Sequence, residues 1–347
     1  MPCLTRSFFA ALLVMPVVFA QEGPPSPAPE LQKLAPLIGN WAGTGSATFG
    51  PGAPPTAWHA RGTYRWCLDK HFVQEDFEIT FEGLAAPLVF RAYFGWDREN
   101  QRYVNAAISN EGKAQLVEMK FLPDGTMVQV SLQSQEGMPY AERWRLKVEG
   151  DKLMHSIDLL MPEGPSMSIV DGHFKRVDAE YAGAFDTKVF EGAVADESIK
   201  KLTRSAGVYA TQGTMVMAPG QPSMKISGTD TFRSVFGGTV FHGHTVGTAE
   251  GMPGEYHGEV FWAHDPMRRC IVGIYVSNMG EVMSMDAWFT ADGKLISTSA
   301  GLMQGQPTVQ SMVMEFDAKG VPTSAVGHAI IGTAAPFENF RANYTKK

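Results

Sequence analysis

The stretch IGNWAGTG at residues 38–45 decides the architecture of this chain, because a related stretch, AGVYATQG, returns at residues 206–213. Each copy places a glycine two residues before an aromatic side chain. Aligned on Gly39 and Gly207, the two stretches are 207 − 39 = 168 residues apart. Self-similarity at a fixed offset is the sequence signature of a duplicated unit. We therefore asked whether the offset holds elsewhere.

The offset persists through the middle of both copies. Four further pairs of segments match in order: YFGWD with FWAHD, ISNEGK with VSNMGE, LPDGTM with TADGKL, and EGMP with QGQP. At the edges the offset slips to 166, as when Gly62 matches Gly228, and small loop insertions account for that. The sequence therefore predicts two tandem copies at residues 29–177 and 196–347, joined by a linker at residues 178–195.

Within each copy the local signal is β. Short runs rich in Val, Ile, Thr and aromatic residues, such as HFVQEDFEITF and RYVNAAIS, alternate with turns such as Asp-Gly. Successive short strands with tight turns predict an antiparallel meander that closes on itself. A short amphipathic segment precedes each glycine-aromatic stretch, PELQKLAPL in the first copy and DESIKKLTR in the second. We expect two all-β barrels, each preceded by a short helix.

The N-terminus has the features of an export signal. Residues 1–20 combine one basic residue, an apolar run too short to span a bilayer, and small residues before Gln21. A retained membrane anchor is the alternative, but no basic flank follows. We expect cleavage near Ala20/Gln21, a proline-rich mature start at residues 21–28, and a soluble periplasmic or secreted protein without stable membrane insertion.

The net charge and the cysteines limit the possible binding partners and disulfide bonds. The net charge of −7 argues against nucleic acid, whose binding proteins carry clustered Lys and Arg. Cleavage would remove Cys3 and leave Cys67 and Cys270. These two sit at non-matching positions of the copies, so either a bridge joins the two domains or both remain thiols. The sequence leaves this open, as it does the oligomeric state.

These motifs together resemble a known family. A Leu-x-x-Leu helix, then Gly-x-Trp, a turn of the Phe236-Gly237-Gly238 type, and an S-N-x-G segment are similar to the bacterial domain of unknown function 1579 within the lipocalin-like calycin barrels. The resemblance implies a calycin barrel for each copy, with Trp41 and Tyr209 packed across the barrel floor. It implies no chemistry. The first copy departs from the pattern at Asp69-Lys70.

A barrel of this size can hold one small ligand. Arg91 is the single charge of the strand VFRAYFGW and is a candidate contact for an acidic group. Trp96 and His264, matched by the offset and each followed by an aspartate, are further candidate ligand contacts.

Two cofactor sites are also conceivable from the histidines. His242 and His244 share one face of a strand, and His257 and Glu259 follow on the next strand, a spacing suited to zinc. Haem-binding calycin barrels use one histidine on a late strand, which makes His155 and His328 haem candidates. Isolated surface histidines are the commoner explanation of both sets.

No motif for an enzyme is present in the sequence: it lacks a Gly-x-Ser-x-Gly elbow, a phosphate loop and an HExxH pair. The preferred hypothesis is an exported protein that binds a small apolar or amphipathic molecule inside a barrel. The alternative is a structural or protein-interaction module of the cell envelope with filled barrels. A haem or metal barrel, or an enzyme, comes third.

Overall fold

The computed structural model of the chain describes residues 25–49, 53–135, 138–160, 166–183 and 185–347. The export signal expected at residues 1–20 lies outside the described residues. Among the helices that are described, none has the length and apolar character needed to cross a membrane.

Ten antiparallel strands form each copy, and in both copies the last strand pairs with the first to close a barrel. Barrel 1 contains β1 (Gly39–Ala47), β2 (Thr56–Cys67), β3 (Phe72–Phe81), β4 (Leu88–Asp97), β5 (Arg102–Ser109), β6 (Lys113–Phe121), β7 (Met127–Gln135), β8 (Met138–Glu149), β9 (Lys152–Leu160) and β10 (Met167–Val177). Barrel 2 contains β11 (Gly207–Met215), β12 (Met224–Val235), β13 (Val240–Ala249), β14 (Tyr256–Asp265), β15 (Cys270–Ser277), β16 (Val282–Phe289), β17 (Leu295–Met303), β18 (Gln306–Phe316), β19 (Pro322–Ile331) and β20 (Phe337–Lys346). The predicted pair of tandem barrels is confirmed.

The glycine-aromatic stretch recurs because it ties each barrel to the helix before it. A 3-10 helix, Pro29–Leu37, precedes barrel 1, and the α-helix α1, Glu197–Thr203, lies between the barrels. Trp41 is fully buried and its Nε1 donates to the carbonyl of Leu37 at 2.8 Å. Tyr209, also fully buried, donates from its hydroxyl to the carbonyl of Ser205 at 2.9 Å. Each aromatic is thus buried and hydrogen-bonded to the segment that precedes its strand.

The departure from the Gly-Gly turn is accommodated without a change of fold. Leu68–Lys70 forms the same 3-10 turn as Phe236–Gly238. All three residues of the first turn have positive φ, 47°, 53° and 68°, although none is glycine. Asn278 of barrel 2 donates to Asp69 Oδ2 at 2.8 Å and holds this turn in place. Barrel 1 thus keeps a strained turn that contacts barrel 2.

The two barrels pack against each other through a buried apolar cluster. Barrel 1 contributes side chains from the outer faces of β3 to β5, and barrel 2 from β13 to β15, from the end of β12 and from the turn that joins β12 to β13. The buried members are Phe72, Val89, Tyr93, Ala106, Ile108, Val235, Phe236, Val240, Phe261, Ala263, Val272, Ile274 and Val276. Such a cluster on outer strand faces makes the pair of barrels one packed body.

Equivalent residues of the two copies form this interface reciprocally. The rings of Tyr93 and Phe261, which the offset of 168 matches, lie 5.9 Å apart. A Cβ added to Gly112 would lie 3.1 Å from Thr239, and one added to its equivalent Gly280 would lie 2.7 Å from His71. His71 and Thr239 are themselves equivalent. The contacts therefore follow a pseudo-two-fold axis that passes near Tyr93 and Phe261.

The linker lies along the barrels rather than free of them. The backbone N–H of Tyr181 donates to Thr63 of barrel 1 at 2.9 Å, and Phe236 N of barrel 2 donates to the Phe185 carbonyl at 2.7 Å. Cys67 and Cys270 are both free thiols, and burial raises the pKa of each. No bridge joins the domains through these two residues.

The backbone strain of this turn can be tested by exchanging residues between the equivalent positions 70 and 238. Replacing Lys70, at φ 68°, by glycine should raise the free energy of unfolding by up to about 1 kcal/mol, because a left-handed backbone costs about that much for a side-chain-bearing residue. The reverse change, Gly238→Lys at the equivalent position, should lower it by about 1–2 kcal/mol. A Cβ at Gly238 meets no atom closer than 3.7 Å, so the backbone alone is tested. Urea denaturation of both variants measures this; equal effects of the same sign would contradict it.

Candidate functional site

A cavity of about 50 Å³ lies inside barrel 1. Its wall is mostly aromatic and aliphatic, with a few polar side chains that converge on it. The lining residues are Tyr64, Glu75, Phe77, Ile79, Phe90, Phe94, Asn105, Met127, Gln129, Trp144, Arg145, Leu146, Leu153, His155 and Phe174. An apolar pocket with few polar groups is the usual form of a small-molecule site.

Strand alternation brings the polar groups together. Tyr64 on β2 is the cross-strand partner of Glu75 on β3, and both point inward with the core residues Val73 and Phe77. Because a closed barrel turns every second side chain inward, residues far apart in the sequence meet across its interior. Four of the polar residues are less than 9% exposed: Tyr64, Glu75, Asn105 and Gln129.

The surroundings of Glu75 favour its neutral carboxylic acid form. Burial raises the pKa of Glu75 to about 8; the hydrogen bond from Tyr64 opposes the rise and the charge of Asp76 adds to it. The Tyr64 hydroxyl donates to Oε1 of Glu75. Oε2 of Glu75 has no hydrogen-bond partner among the described residues. The protonated group therefore has an O–H available to a ligand.

His155 is a neutral imidazole on the opposite part of the wall. Its ring packs on that of Trp144 with centroids 5.0 Å apart. Burial lowers the pKa of His155 to about 4. Part of the ring faces the cavity, and no described side chain or backbone group forms a hydrogen bond with its nitrogens. A neutral imidazole offers one donor and one acceptor.

An amide pair completes the polar set. Nδ2 of Asn105 donates to Oε1 of Gln129 at 3.0 Å, and Oδ1 of Asn105 is buried with no partner among the described residues. If the O and N atoms of both amides were assigned the other way round, the two side chains would still be hydrogen-bonded to each other. In either assignment the pair has one amide N–H group and one amide oxygen left for another partner. A buried amide oxygen without a partner is costly, which makes it a contact for a ligand or water.

The cavity carries no unbalanced charge. Glu75 and His155 are neutral, as described above. Arg145 touches the wall, but on β8 it alternates with the inward residues Trp144 and Leu146, so its guanidinium lies on the outer face. There Asp158 pairs with it at 2.5 Å and with Arg143 at 2.8 Å. The site can therefore hydrogen-bond an uncharged group from several directions, and it offers no counter-ion to a charged one.

Barrel 2 lacks this set of residues. The expected slip of the offset at Gly62 is wrong, because Trp41 pairs with Gly62 as Tyr209 pairs with Asp230, which keeps the offset at 168 on β2. With this offset, the positions equivalent to Tyr64, Glu75, Asn105 and Gln129 hold Phe232, Gly243, Gly273 and Ser297. Leu146 pairs with His155, whereas its equivalent Met314 pairs with Ala325. A Cβ on Gly243 would lie 2.8 Å from the Phe232 ring, so this ring fills the space that Glu75 occupies in barrel 1. The polar cavity belongs to the first copy.

The candidate ligand contacts from the sequence lie elsewhere. Arg91 points out of barrel 1 toward barrel 2. Its Nε lies 2.6 Å from Oδ1 of Asp76, on the neighbouring strand of barrel 1. Trp96 packs edge-on against Tyr103 at 4.8 Å. His264 of barrel 2 lies 3.7 Å from Asp196, the residue that caps α1. None of the three lines the cavity of barrel 1.

The zinc candidates are spread over the outer face of barrel 2. His242 is buried between the rings of Phe185 in the linker and Phe261, and its Nε2 lies 3.0 Å from Glu259 Oε2. The rings of His244 and His257 lie 6.3 Å apart. Within the described ranges, no three His, Cys, Asp or Glu side chains are grouped as metal ligands would be. The zinc site remains a prediction from the sequence.

The two haem candidates have different surroundings. His155 lines the cavity, and His328 is exposed on β19 of barrel 2. Haem binding at either residue remains a prediction.

Sequence reasoning missed Tyr64, Glu75, Asn105 and Gln129. A signal was present for one of them: in HFVQEDFEITF, Glu75 is the only charged residue in the alternating series Val73, Glu75, Phe77, Ile79. A lone carboxyl on an otherwise apolar strand face is a candidate functional group. The other three carry no such mark, because uncharged polar residues are common on β-strands.

The comparison with protein families settles the membership of the chain. The model of one family, described as a protein of unknown function (DUF1579), matches residues 26–176 and 196–320. The chain belongs to the DUF1579 family. The first matched region covers barrel 1 and the second covers barrel 2 as far as β18, so this DUF1579 protein carries the domain in duplicate, as the resemblance predicted. No curated protein matches the chain.

Two solved structures are similar to this DUF1579 protein. Rv2717c from M. tuberculosis is 17% identical, with a TM-score of 0.33, and the match covers 44% of this chain and 99% of the other. A protein of unknown function from the DUF3598 family of Nostoc punctiforme PCC 73102 is 10% identical, with a TM-score of 0.28, and the match covers 92% of this chain and 100% of the other.

The raised pKa of Glu75 predicts a specific pH dependence. Its pKa is about 8 in the folded protein and near 4.5 when unfolded, so the folded state holds the proton more tightly. The free energy of unfolding should therefore fall by a few kcal/mol as the pH rises from about 4.5 to about 8. Glu75→Gln, which stays neutral, should lose this component.

Chemical denaturation of both proteins from pH 5 to pH 9 measures the difference. The variant should gain stability relative to the wild type as the pH rises. Parallel stability curves would show that Glu75 is ionised in the folded protein.

Proposed function

We propose that barrel 1 binds a small amphipathic molecule through an uncharged polar end. The observation that carries this proposal is a set of cavity-facing groups that have no partner among the described residues: the acid O–H of Glu75, the His155 imidazole and the unpaired half of the Asn105–Gln129 amide pair. Groups of this kind inside an apolar wall fix the orientation of a ligand and give it specificity.

The electrostatics favour an uncharged ligand. A carboxylate would have to shed its water beside a neutral acid and a neutral imidazole, with no cation to offset the loss. An alcohol, amide or ketone would satisfy the same donors and acceptors at much lower desolvation cost. The class of ligand therefore follows from the neutrality of Glu75 and His155.

The volume limits the size of the polar end. A space of 50 Å³ holds about three to five water-sized groups. The polar end of the ligand therefore has only a few non-hydrogen atoms, and the aromatic wall suits a short apolar portion beside it.

Binding can be tested with three probes that share one short chain and fit this volume: propanamide, propan-1-ol and propanoate. Titration calorimetry should show the amide and the alcohol binding at least about tenfold more tightly than the carboxylate, because of the desolvation difference. Asn105→Leu should weaken the amide by at least about tenfold by removing its polar contacts. Equal affinity for propanoate and propanamide would contradict the proposal.

A matched pair of histidine variants provides the control. His155→Phe removes the imidazole donor and acceptor and puts a slightly larger ring in their place, so binding of propanamide should weaken by at least about tenfold. His328→Phe makes the same change on the exposed surface of barrel 2 and should leave binding unchanged. Loss of binding in both variants would place the site outside barrel 1.

We further propose that the protein acts after export, in the periplasm or outside the cell. The support is the composition of residues 1–20, which combines a basic start, a short apolar run and small residues before Gln21. N-terminal sequencing of the protein recovered from the periplasm should begin at Gln21. A chain that begins at Met1 in the membrane fraction would contradict this.

A further inference from the structure

The interface between the barrels contains a buried polar cluster in addition to its apolar contacts. In barrel 1, Asp76 accepts from Arg91 and Arg65 at 2.6 Å each. In barrel 2, Nε2 of His242 lies 3.0 Å from Glu259 Oε2, and Arg233 donates to His242 Nδ1 at 3.2 Å. Buried charges are normally retained only where specific partners compensate them.

The cluster occupies equivalent positions of the two copies, but the residue types differ. By the offset of 168, four pairs of positions hold different residues: Gln74 with His242, Asp76 with His244, Arg91 with Glu259, and Tyr93 with Phe261. Arg65 and Arg233 are the same in both copies. The apolar part of the interface is thus shared, while its polar part distinguishes the copies.

One hydrogen bond crosses the interface close to the pseudo-two-fold axis and depends on this difference. The Tyr93 hydroxyl donates to Glu259 Oε2 at 3.1 Å. Burial alone would raise the pKa of Glu259, but the hydrogen bond with His242, the charge of Arg91 and the Tyr93 hydroxyl hold it below its usual value. Glu259 is therefore a carboxylate balanced by groups from both barrels.

An interface between two identical barrel faces would lose this balance of charge. If two barrel 1 faces met about the same axis, Arg91 would approach its own copy, and no carboxylate would cross from the partner. If two barrel 2 faces met, Glu259 would face another Glu259 and the ring of Phe261, which has no hydroxyl. Like charges brought together in a buried interface cost several kcal/mol.

We propose that these four pairs of positions form a charge code that makes the barrel 1 face fit a barrel 2 face and reject a second copy of itself. The partner that the code selects is barrel 2 of the same chain. Specificity of this kind, in which mismatched pairs are penalised, is how related interfaces avoid one another. The proposal is independent of the ligand site inside barrel 1.

Exchanging the code between the copies tests it in the full chain. The half-exchanged variant carries Gln74→His, Asp76→His, Arg91→Glu and Tyr93→Phe, so that both faces are of the barrel 2 type. The fully exchanged variant adds His242→Gln, His244→Asp, Glu259→Arg and Phe261→Tyr. By the pseudo-two-fold relation, full exchange rebuilds the original contacts in the opposite sense.

Trypsin cleavage after Lys188 reports on separation of the barrels. Lys188 is exposed, but its carbonyl accepts from Asn110 at 3.0 Å and the next residue, Val189, packs at Gly237 of barrel 2. The linker must therefore detach before the protease can act. A Lys188→Gln chain confirms which fragment arises from this site.

The half-exchanged variant should be cleaved at least about tenfold faster than the wild type, in line with the cost of like charges. Full exchange should recover most of the protection. It should stop short of wild type because the Phe185 ring, 3.9 Å from the Arg91 guanidinium, has no counterpart in the other copy.

Protection in the half-exchanged variant, or a fully exchanged variant cleaved as fast as the half-exchanged one, would overturn the proposal. If the half-exchanged chain fails to fold, the full exchange still decides, because only the code predicts that eight substitutions do less damage than four. Tyr93→Phe alone, which removes the crossing hydroxyl, should accelerate cleavage by a smaller factor; no acceleration would count against the code.

Discussion

Closure of each sheet into a barrel is the constraint on which the rest of this structure depends. A closed antiparallel sheet has no edges and sends alternate side chains to its inside and outside. Glu75 and Asp76 show the consequence most directly, since adjacent residues of β3 enter different environments. Glu75 faces the cavity and is neutral beside Tyr64. Asp76 faces outward and is paired with Arg65 and Arg91 at the interface. One strand thus supplies both the ligand cavity and the contact between barrels.

The two duplicated copies share one fold but differ in the side chains inside the barrel and at the interface. Trp41 and Tyr209 perform the same structural task, and the apolar interface uses matched positions on both sides. The cavity of barrel 1 has no equivalent polar set in barrel 2, where Phe232 occupies the space. On the outer face, the equivalent positions 91 and 259 have also diverged, to Arg91 and Glu259. Each copy has therefore specialised while the strands that hold it in place stayed alike.

The sequence predicted the duplication, the strands and the floor aromatics because each leaves a local pattern. It could not predict which face of β3 and β4 points inward, because barrel 2 buries the outer face as well. Phe72 and Val73 are adjacent, both are fully buried, and they belong to different clusters. The period-two contrast that marks a half-exposed strand is therefore lost. Arg91, the one charge in its strand, was a candidate for the cavity for this reason. His242 and His244 do share a face, but the packing of Phe185 from the linker against His242 is a tertiary contact that their spacing does not encode.

The protonation state of Glu75 is the most direct test of this account, because the proposed ligand class follows from it. The side-chain carboxyl ¹³C resonance of Glu75, assigned by its absence in Glu75→Gln, can be followed by NMR through a pH titration of the intact protein. The account predicts a midpoint near 8, with the group protonated at neutral pH. A midpoint near the ordinary value of a glutamate would contradict it, since the cavity would then hold a carboxylate and would favour a cationic ligand.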